Sequence, residues 1–275
     1  MSAAAHLATY NDPSVAAHYA RLEYLSACER LLFEKYLQPG IAVLDLGVGG
    51  GRTTPYLASR ASRYVGADYA PEMIRLCRSK FPQHEFVVTE ASDLACFGIA
   101  SFEAVVLAFN AIDSVIPDEK RTQCLRECRR VLRPGGRLIF SCHNPRAVLV
   151  RPGWNRDRIR AFATNITRRL RPLYPIAYAA TSFARVLLAC LSALCLTGVR
   201  LIRRIPSSAF WRGEGYMVDR SHGGLLTHYS VPKRVVAELE GSGFHWLATL
   251  GDDYPRKSGT FVTDWYYYVF ERGNR

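Results

Sequence analysis

The chain has 275 residues and a mass of 30.9 kDa, with 49% apolar and 22% charged residues. That fits one large domain, or one domain carrying an insertion, and excludes disordered, collagen-like and disulfide-scaffold classes. The net charge of +12 is local. Thirteen arginines and a single acid, Asp157, lie between Arg146 and Gly213, so the rest of the chain is electrically balanced. Genomic base composition explains a preference for arginine over lysine, but not this clustering.

The eight cysteines (Cys28, Cys77, Cys96, Cys124, Cys128, Cys142, Cys190, Cys195) include no C-x-x-C pair and no zinc-ligand spacing with histidine. Their apolar neighbours predict reduced core thiols of a cytoplasmic protein, and no metal site is expected. Cys124 and Cys128, four residues apart, read as one core-facing helix stripe. The N-terminus lacks the basic n-region and apolar run of a secretory signal.

Asp12 before Pro13 predicts the start of a helix that runs over 12–37 and stops at Pro39-Gly40. Ile41–Leu46 is a short apolar strand entering the glycine-rich turn Gly47–Gly51, with a helix from Thr53. Tyr64–Asp68 is a second strand, followed by a helix over 71–80. Glu85–Thr89 and Phe102–Phe109 are the third and fourth. A helix over 118–132 ends at Pro134-Gly135-Gly136, and Arg137–Cys142 makes a fifth strand. This alternation predicts a parallel, doubly wound sheet. It breaks at 146–213 and resumes with a helix at 232–242 and strands near 244–250 and 263–270.

Gly47, Gly49 and Gly51 give G-x-G-x-G, whereas a dinucleotide fingerprint would need glycine at position 52, where Arg52 stands. Asp45 precedes the loop inside its strand, and Asp68 ends the second strand, where a carboxylate accepts both hydroxyls of a ribose. A plain structural reading makes the glycines a tight turn and Asp68 a helix N-cap.

Three segments in order carry a resemblance: Val43-Leu-Asp-Leu-Gly-Val-Gly-Gly-Gly-Arg-Thr53, Val65-Gly-Ala-Asp-Tyr-Ala-Pro-Glu-Met73 and Arg130-Val-Leu-Arg-Pro-Gly-Gly-Arg-Leu-Ile-Phe140. Together they resemble the class I S-adenosylmethionine-dependent methyltransferases, over about residues 10–145 and weakly 214–270. The resemblance implies an α/β, doubly wound, Rossmann-like fold: a seven-stranded, mostly parallel sheet whose last strand, Asp264–Phe270, is antiparallel. It divides the chain into a cofactor-binding core at 1–145, a basic apolar helical insertion at 146–213, and the remainder of the core at 214–275. It further implies S-adenosylmethionine as cofactor, with Gly47, Gly49 and Gly51 lining its methionine part, Asp68 on its ribose and Asp45 as a further contact. Met73 would pack against the adenine, and Tyr69 would be a further cofactor contact. Either Glu90 or Asp93 would meet the adenine amino group, Asp93 being favoured. Phe109 and Asn110 would lie beside the sulfonium, and Tyr10 and Tyr19 resemble lid tyrosines, although plain packing also accounts for them.

Methyl transfer to a hydroxyl needs orientation and removal of a proton. His143, after the fifth strand, is well placed as base by topology; His222 and His228 are further candidates, and Asn110 and Asp113 could hold the acceptor. An ordinary structural role fits His143 as well as the catalytic one does, and fits His222 and His228 better. The glycine spacing disfavours a dehydrogenase. The basic segment with Trp154, Tyr174 and Trp211 admits a nucleic-acid methyltransferase, but the Asn/Asp-Pro-Pro-aromatic motif is absent where the chain reads Phe109-Asn-Ala-Ile112. A non-catalytic cofactor-binding partner subunit is a third reading. The sequence thus points to a methyltransferase acting at oxygen on a small-molecule, sugar or lipid-linked acceptor.

Ile176–Val199 carries one charge, Arg185, and is apolar or small all round from 186. Its length permits a membrane span, yet strands on either side must join one sheet, so both ends stay on one side. A buried cap, a homodimer interface, or contact with an anionic membrane surface on the cytoplasmic side all remain open.

Overall fold

The computed structural model describes residues 3–152, 174–219 and 224–274. His222 and Trp154 lie outside the described residues.

The N-terminal region folds as α1 (Ala3–Tyr10), α2 (Pro13–Ala20) and α3 (Ala27–Tyr36). The single helix expected over 12–37 is therefore two. Asp12 caps α2 through the Ser14 and Val15 amides, and Pro13 sits at its first position. Ser26 then starts α3 with a capping box: its hydroxyl accepts from the Glu29 amide, while Glu29 accepts from the Ser26 amide. Apolar Leu22, Tyr24 and Leu25 continue the helical rhythm across a stretch that the new cap interrupts.

The core follows as β1 (Ala42–Leu46), α4 (Thr54–Arg60), β2 (Arg63–Asp68), α5 (Pro71–Lys80), β3 (Glu85–Val88) and β4 (Phe102–Leu107). After a 3-10 turn at Ala111–Ser114 come α6 (Asp118–Val131) and β5 (Leu132–His143). Then α7 (Tyr174–Arg204), α8 (Ser208–Arg212), β6 (Glu214–Asp219), β7 (Leu225–Ser230), α9 (Pro232–Gly241), β8 (Phe244–Gly251) and β9 (Trp265–Arg272) complete the chain. Seven strands form one sheet in the order β3-β2-β1-β4-β5-β9-β8, and β9 runs antiparallel between β5 and β8. This is the Rossmann-like architecture expected.

Two departures matter. Pro134-Gly135-Gly136 does not separate helix from strand; β5 begins at Leu132, paired with Phe102, and bulges through the glycines before pairing Arg137 with Ala104. β6 and β7 pair with each other in a separate two-stranded sheet, so the core sheet resumes only after α9.

β1, central and parallel on both sides, is buried along its whole length. Its alternate residues serve two layers. Leu44 and Leu46 join Leu138, Phe140 and Phe270 beneath α6 and α9, where Cys124 and Cys128 are fully buried. Val43 joins Ile139, Tyr267 and Val269 beneath α3, α4 and α5. All eight cysteines are free, but Cys96 and Cys195 are exposed and Cys190 half-buried, contrary to the expectation of core thiols throughout.

Asp45, expected to touch the cofactor, instead lies under the glycine loop. Its Oδ2 accepts from Thr53 Oγ1 at 2.6 Å and from Tyr64 OH at 2.8 Å. Burial pushes its pKa up from 3.8 to about 6, against those two hydrogen bonds. The native state therefore holds a proton that the unfolded chain releases near pH 3.8, and stability falls as pH rises through 6, by up to about 3 kcal/mol. Asp45→Asn keeps an acceptor for both hydroxyls without the ionisation. Urea unfolding at pH 4 and pH 7 is expected to show this variant gaining stability over the parent at the higher pH; an equal difference at both would mean that Asp45 titrates normally.

Candidate active site

The C-terminal ends of β1, β2, β4 and β5 open onto a cavity of about 900 Å³, the crevice where open α/β sheets bind ligands. The loop after β1 forms one wall. Gly47 and Val48 donate to Ala67 O of β2, and Gly49 donates to Asp68 Oδ2 at 2.9 Å. Asp68 Oδ1 accepts from the Ala70 amide, so the carboxylate is clamped at the head of α5. Burial raises its pKa, while the Ala70, Gly49 and Tyr69 amides oppose the rise. Gly50 also lines the cavity, and a Cβ there would collide with the backbone of Tyr19 and Ala20 at the end of α2. The sequence reading gave Gly50 no role.

Arg52 leaves this loop at the position that distinguishes it from a dinucleotide fingerprint. It is nearly buried and makes a two-pronged pair with the fully buried Glu29 of α3, at 2.7 and 2.5 Å. Arg52 also donates to Tyr24 O, and its guanidinium lies 5.0 Å from the Phe109 ring centre. Glu29 further accepts from Tyr267 OH of β9 at 2.9 Å. The Ser26–Glu29 spacing is a helix-start signal that the single helix expected over 12–37 passes over, and nothing in the local pattern points to Arg52 as the partner of Glu29.

The opposite wall begins where β4 ends. Phe109 and Asn110 both take left-handed backbone angles (φ +55° and +62°), a conformation uncommon for residues bearing a side chain and concentrated at ligand sites. The Asn110 amide is held by Ser141 Oγ of β5 at 2.7 Å. Asn110 Nδ2 lies 3.1 Å from His143 Nε2, and His143 Nδ1 lies 2.8 Å from Asp113 Oδ2. A carboxamide nitrogen only donates, so Nε2 is the accepting nitrogen and Nδ1 carries the proton toward Asp113. Asp113 is fully buried and also accepts from the His143 amide at 2.7 Å. It is neither an acceptor-binding group nor a helix cap; it fixes the imidazole. The Tyr229 and Trp265 rings flank His143, with centroids 5.0 and 6.0 Å away.

Residues 44–140 match the profile of a family described as "Methyltransferase domain". These residues thus carry a methyltransferase domain. A ubiquinone biosynthesis O-methyltransferase from Xanthomonas oryzae pv. oryzae is 33% identical over 136 residues, covering 48% of this chain and 52% of that protein. A demethylmenaquinone methyltransferase from Clavibacter sepedonicus is 34% identical over 120 residues, covering 42% and 47%. The chain thus spans about half the length of the relatives it matches. Among solved structures, an S-adenosylmethionine-dependent methyltransferase from Methanosarcina mazei superimposes with a TM-score of 0.58 at 18% identity, covering 89% of this chain and 98% of that one. A 1,6-didemethyltoxoflavin-N1-methyltransferase from Burkholderia thailandensis, with S-adenosylhomocysteine bound, gives 0.56 at 13% identity, covering 99% and 87%.

The methyltransferase match agrees with S-adenosylmethionine, the cofactor that the sequence resemblance implies, and the cavity fits it on its own geometry. Gly49 presents bare backbone, since a Cβ there would meet nothing within 4 Å. Each Asp68 oxygen keeps acceptor capacity after its backbone bond. The buried Tyr69 hydroxyl, also on the cavity wall, lacks a hydrogen-bond partner. Gly47, Gly49, Asp68, Tyr69, Met73, Phe109, Asn110 and His143 all line the cavity. Tyr10 and Tyr19 border it too, their rings 6.0 Å apart.

Three expected cofactor contacts do not line it. Besides Asp45, Gly51 faces α5, where a Cβ would strike the Phe81 ring at 2.7 Å. Asp93 turns to the Ala95 amide; β3 stops at Val88, and Glu90, Ala91 and Ser92 line the cavity in its place. His228 is buried behind Asp113 rather than in the cavity. Its nearest ligating atoms belong to Asp113 and Cys142, all within 4.8 Å of one another. The Arg121 guanidinium, 3.9 Å from Asp113, opposes a cation in that cluster.

Two outcomes are expected. Glu29→Ala strands the Arg52 charge in a buried site and should lower stability by about 3–5 kcal/mol in chemical denaturation; a change under 1 kcal/mol would mean that solvent reaches the guanidinium. Asp68→Ala should weaken S-adenosylmethionine binding at least tenfold, about 1.4 kcal/mol, by titration calorimetry. Unchanged affinity would remove Asp68 from the cofactor site.

Proposed function

We propose that this protein transfers a methyl group from S-adenosylmethionine to a hydroxyl oxygen of a small acceptor, with His143 as general base. One observation carries the reading: the Asp113–His143 pair stands on the wall of the same cavity that Asp68 and Gly49 line. S-adenosylmethionine, when bound, supplies an electrophilic methyl group on a positively charged sulfur. His143 Nε2 takes the proton from the acceptor hydroxyl, and Asp113 balances the charge that develops on the imidazole. The Asn110 amide, which occupies Nε2 at 3.1 Å, turns aside and offers its polar end to the acceptor. The buried Asn110 Oδ1, without a partner, is available for that exchange. Tyr229, Trp265 and Phe109 give the acceptor end flat, apolar walls suited to an aromatic ring.

The names of the two quinone-pathway relatives support a small-molecule acceptor, and the oxygen in the first of those names supports the atom methylated. A cytoplasmic location accords with eight free cysteines, which persist as thiols in a reducing compartment. Peripheral membrane contact through the 146–213 segment belongs to the same reading.

The test is release of S-adenosylhomocysteine from a panel of small phenols and hydroxyquinones. His143→Ala is expected to lose about 10²–10⁴-fold in turnover while still binding cofactor. Asp113→Asn should fall as well, and the double variant should be no slower than His143→Ala, because the two act as a unit. Full turnover by His143→Ala sinks the base assignment; reaction with amines or thiols alone sinks the oxygen.

A further inference from the structure

Helix α7 is amphipathic in the reverse sense to a helix of a soluble protein. The stripe that holds its C-terminal half to the body is Ala193, Thr197, Arg200 and Arg204, at spacings of four, three and four, and three of the four are polar. Thr197 Oγ1 accepts from the Val150 amide at 2.9 Å. Arg200 makes a two-pronged pair with Asp264 at 2.7 and 3.1 Å. Arg204 donates to Asn144 O at 2.9 Å and lies over the Tyr229 ring. The solvent side is apolar: Leu187, Leu191, Leu194 and Ile202 recur at helical spacing, with Leu194 67% and Ile202 78% exposed, and Ile205 follows just past the helix end. The stretch Val186–Arg204 is long and apolar enough to cross a membrane, yet only 6% of its apolar window is buried. An exposed apolar surface of this extent marks an interaction site.

We propose that this face docks the protein on an anionic lipid bilayer, and that the acceptor is an amphiphile dissolved in that bilayer. The acceptor part of the proposal rests on the methyltransferase reading above; the docking part does not. Charge selects the occupant. From Arg158 to Gly213 the sequence contains ten arginines and no acid, and Arg203 and Arg212 are exposed beside the apolar face. Anionic headgroups satisfy these two exposed arginines. A second copy offers the same apolar face and the same arginines, with no acid in α7 or α8 to meet them. Trp211, 68% exposed, adds an amphipathic ring of the kind that settles at a headgroup boundary.

Geometry selects the orientation. β5 before α7 and β9 after it pair in one sheet, so α7 lies along the surface instead of crossing. Its last turns, through Arg200 and Arg204, also border the catalytic cavity. An acceptor whose hydroxyl head reaches His143 therefore keeps its apolar tail beside α7, in the lipid.

The full chain should float with vesicles of phosphatidylglycerol and phosphatidylethanolamine at low salt, and weakly with phosphatidylcholine alone. Leu191→Glu/Leu194→Glu should reduce the bound fraction at least tenfold. The same variant should turn over a water-soluble phenol at the parental rate but lose at least tenfold on that phenol carrying a long alkyl tail in vesicles. S-adenosylmethionine binding, measured in parallel, reports folding and the cofactor reading separately. A chain that binds S-adenosylmethionine but leaves anionic vesicles unbound overturns the docking. So does a dimer of the parent that the double variant dissociates, which would assign the face to a second copy. Equal rates of the variant on both phenols overturn the acceptor assignment alone.

Discussion

The buried pair between Arg52 and Glu29 is the junction on which the site depends. Through Glu29 it reaches α3 and the Tyr267 hydroxyl of β9; through Arg52 it reaches the glycine loop, the Tyr24 carbonyl and the Phe109 ring. Two charges withdrawn from water are stable only when every lone pair and proton has a partner, and here nearly all are matched within the protein. The consequence is rigidity where the chain would otherwise be loosest. The N-terminal segment, which carries the tyrosines over the cavity, is fastened to the same loop that faces the cofactor.

The two halves of the cavity are built on different principles. The cofactor half is mostly backbone: amides of the loop after β1 and a carboxylate clamped at the head of α5, with little side-chain freedom to lose on binding. The half around His143 is made of side chains held by other side chains. Ser141 fixes Asn110, Asp113 fixes His143, and Arg121 sits behind Asp113 in contact with Glu238. The strained angles at Phe109 and Asn110 are maintained by that surrounding network, as strained residues at functional sites generally are.

What the sequence disclosed was whatever is encoded over short spans. Strand–helix alternation, the glycine turn, Asp68 and the helix over 71–80 each follow from neighbours a few residues apart, and the fold follows from them. What it concealed was the pairing of distant groups. Asp113 and His143 are 30 residues apart, and Arg52 and Glu29 are 23 apart; no periodicity links them. Local signals also misled in physical ways. Glu90 and Asp93 both follow β3 within five residues and look alike in sequence; only the turn that ties Asp93 to the Ala95 amide separates them. Gly51 was assigned to the ligand because a glycine serves equally for close packing against an aromatic ring. The break at 21–26 was hidden by apolar residues that mimic a continuing helix, although the Ser26 and Glu29 spacing was there to be read. The polar inner stripe of α7 was invisible to composition, which recorded only that the helix is apolar.

The position of β9 in the sheet has a bearing on how the protein is made. β5 waits for its antiparallel neighbour across about 120 residues of chain, a separation that makes this pairing a late and slow event in folding. During synthesis the nascent chain presents β5 as a bare sheet edge, and α7 as an apolar helix, before the strand that covers that edge has left the ribosome. Both are aggregation-prone surfaces. The cell therefore has a stake in speed over the last third of the chain, and a nearby surface that shelters α7 would act on the immature protein before it serves the finished one.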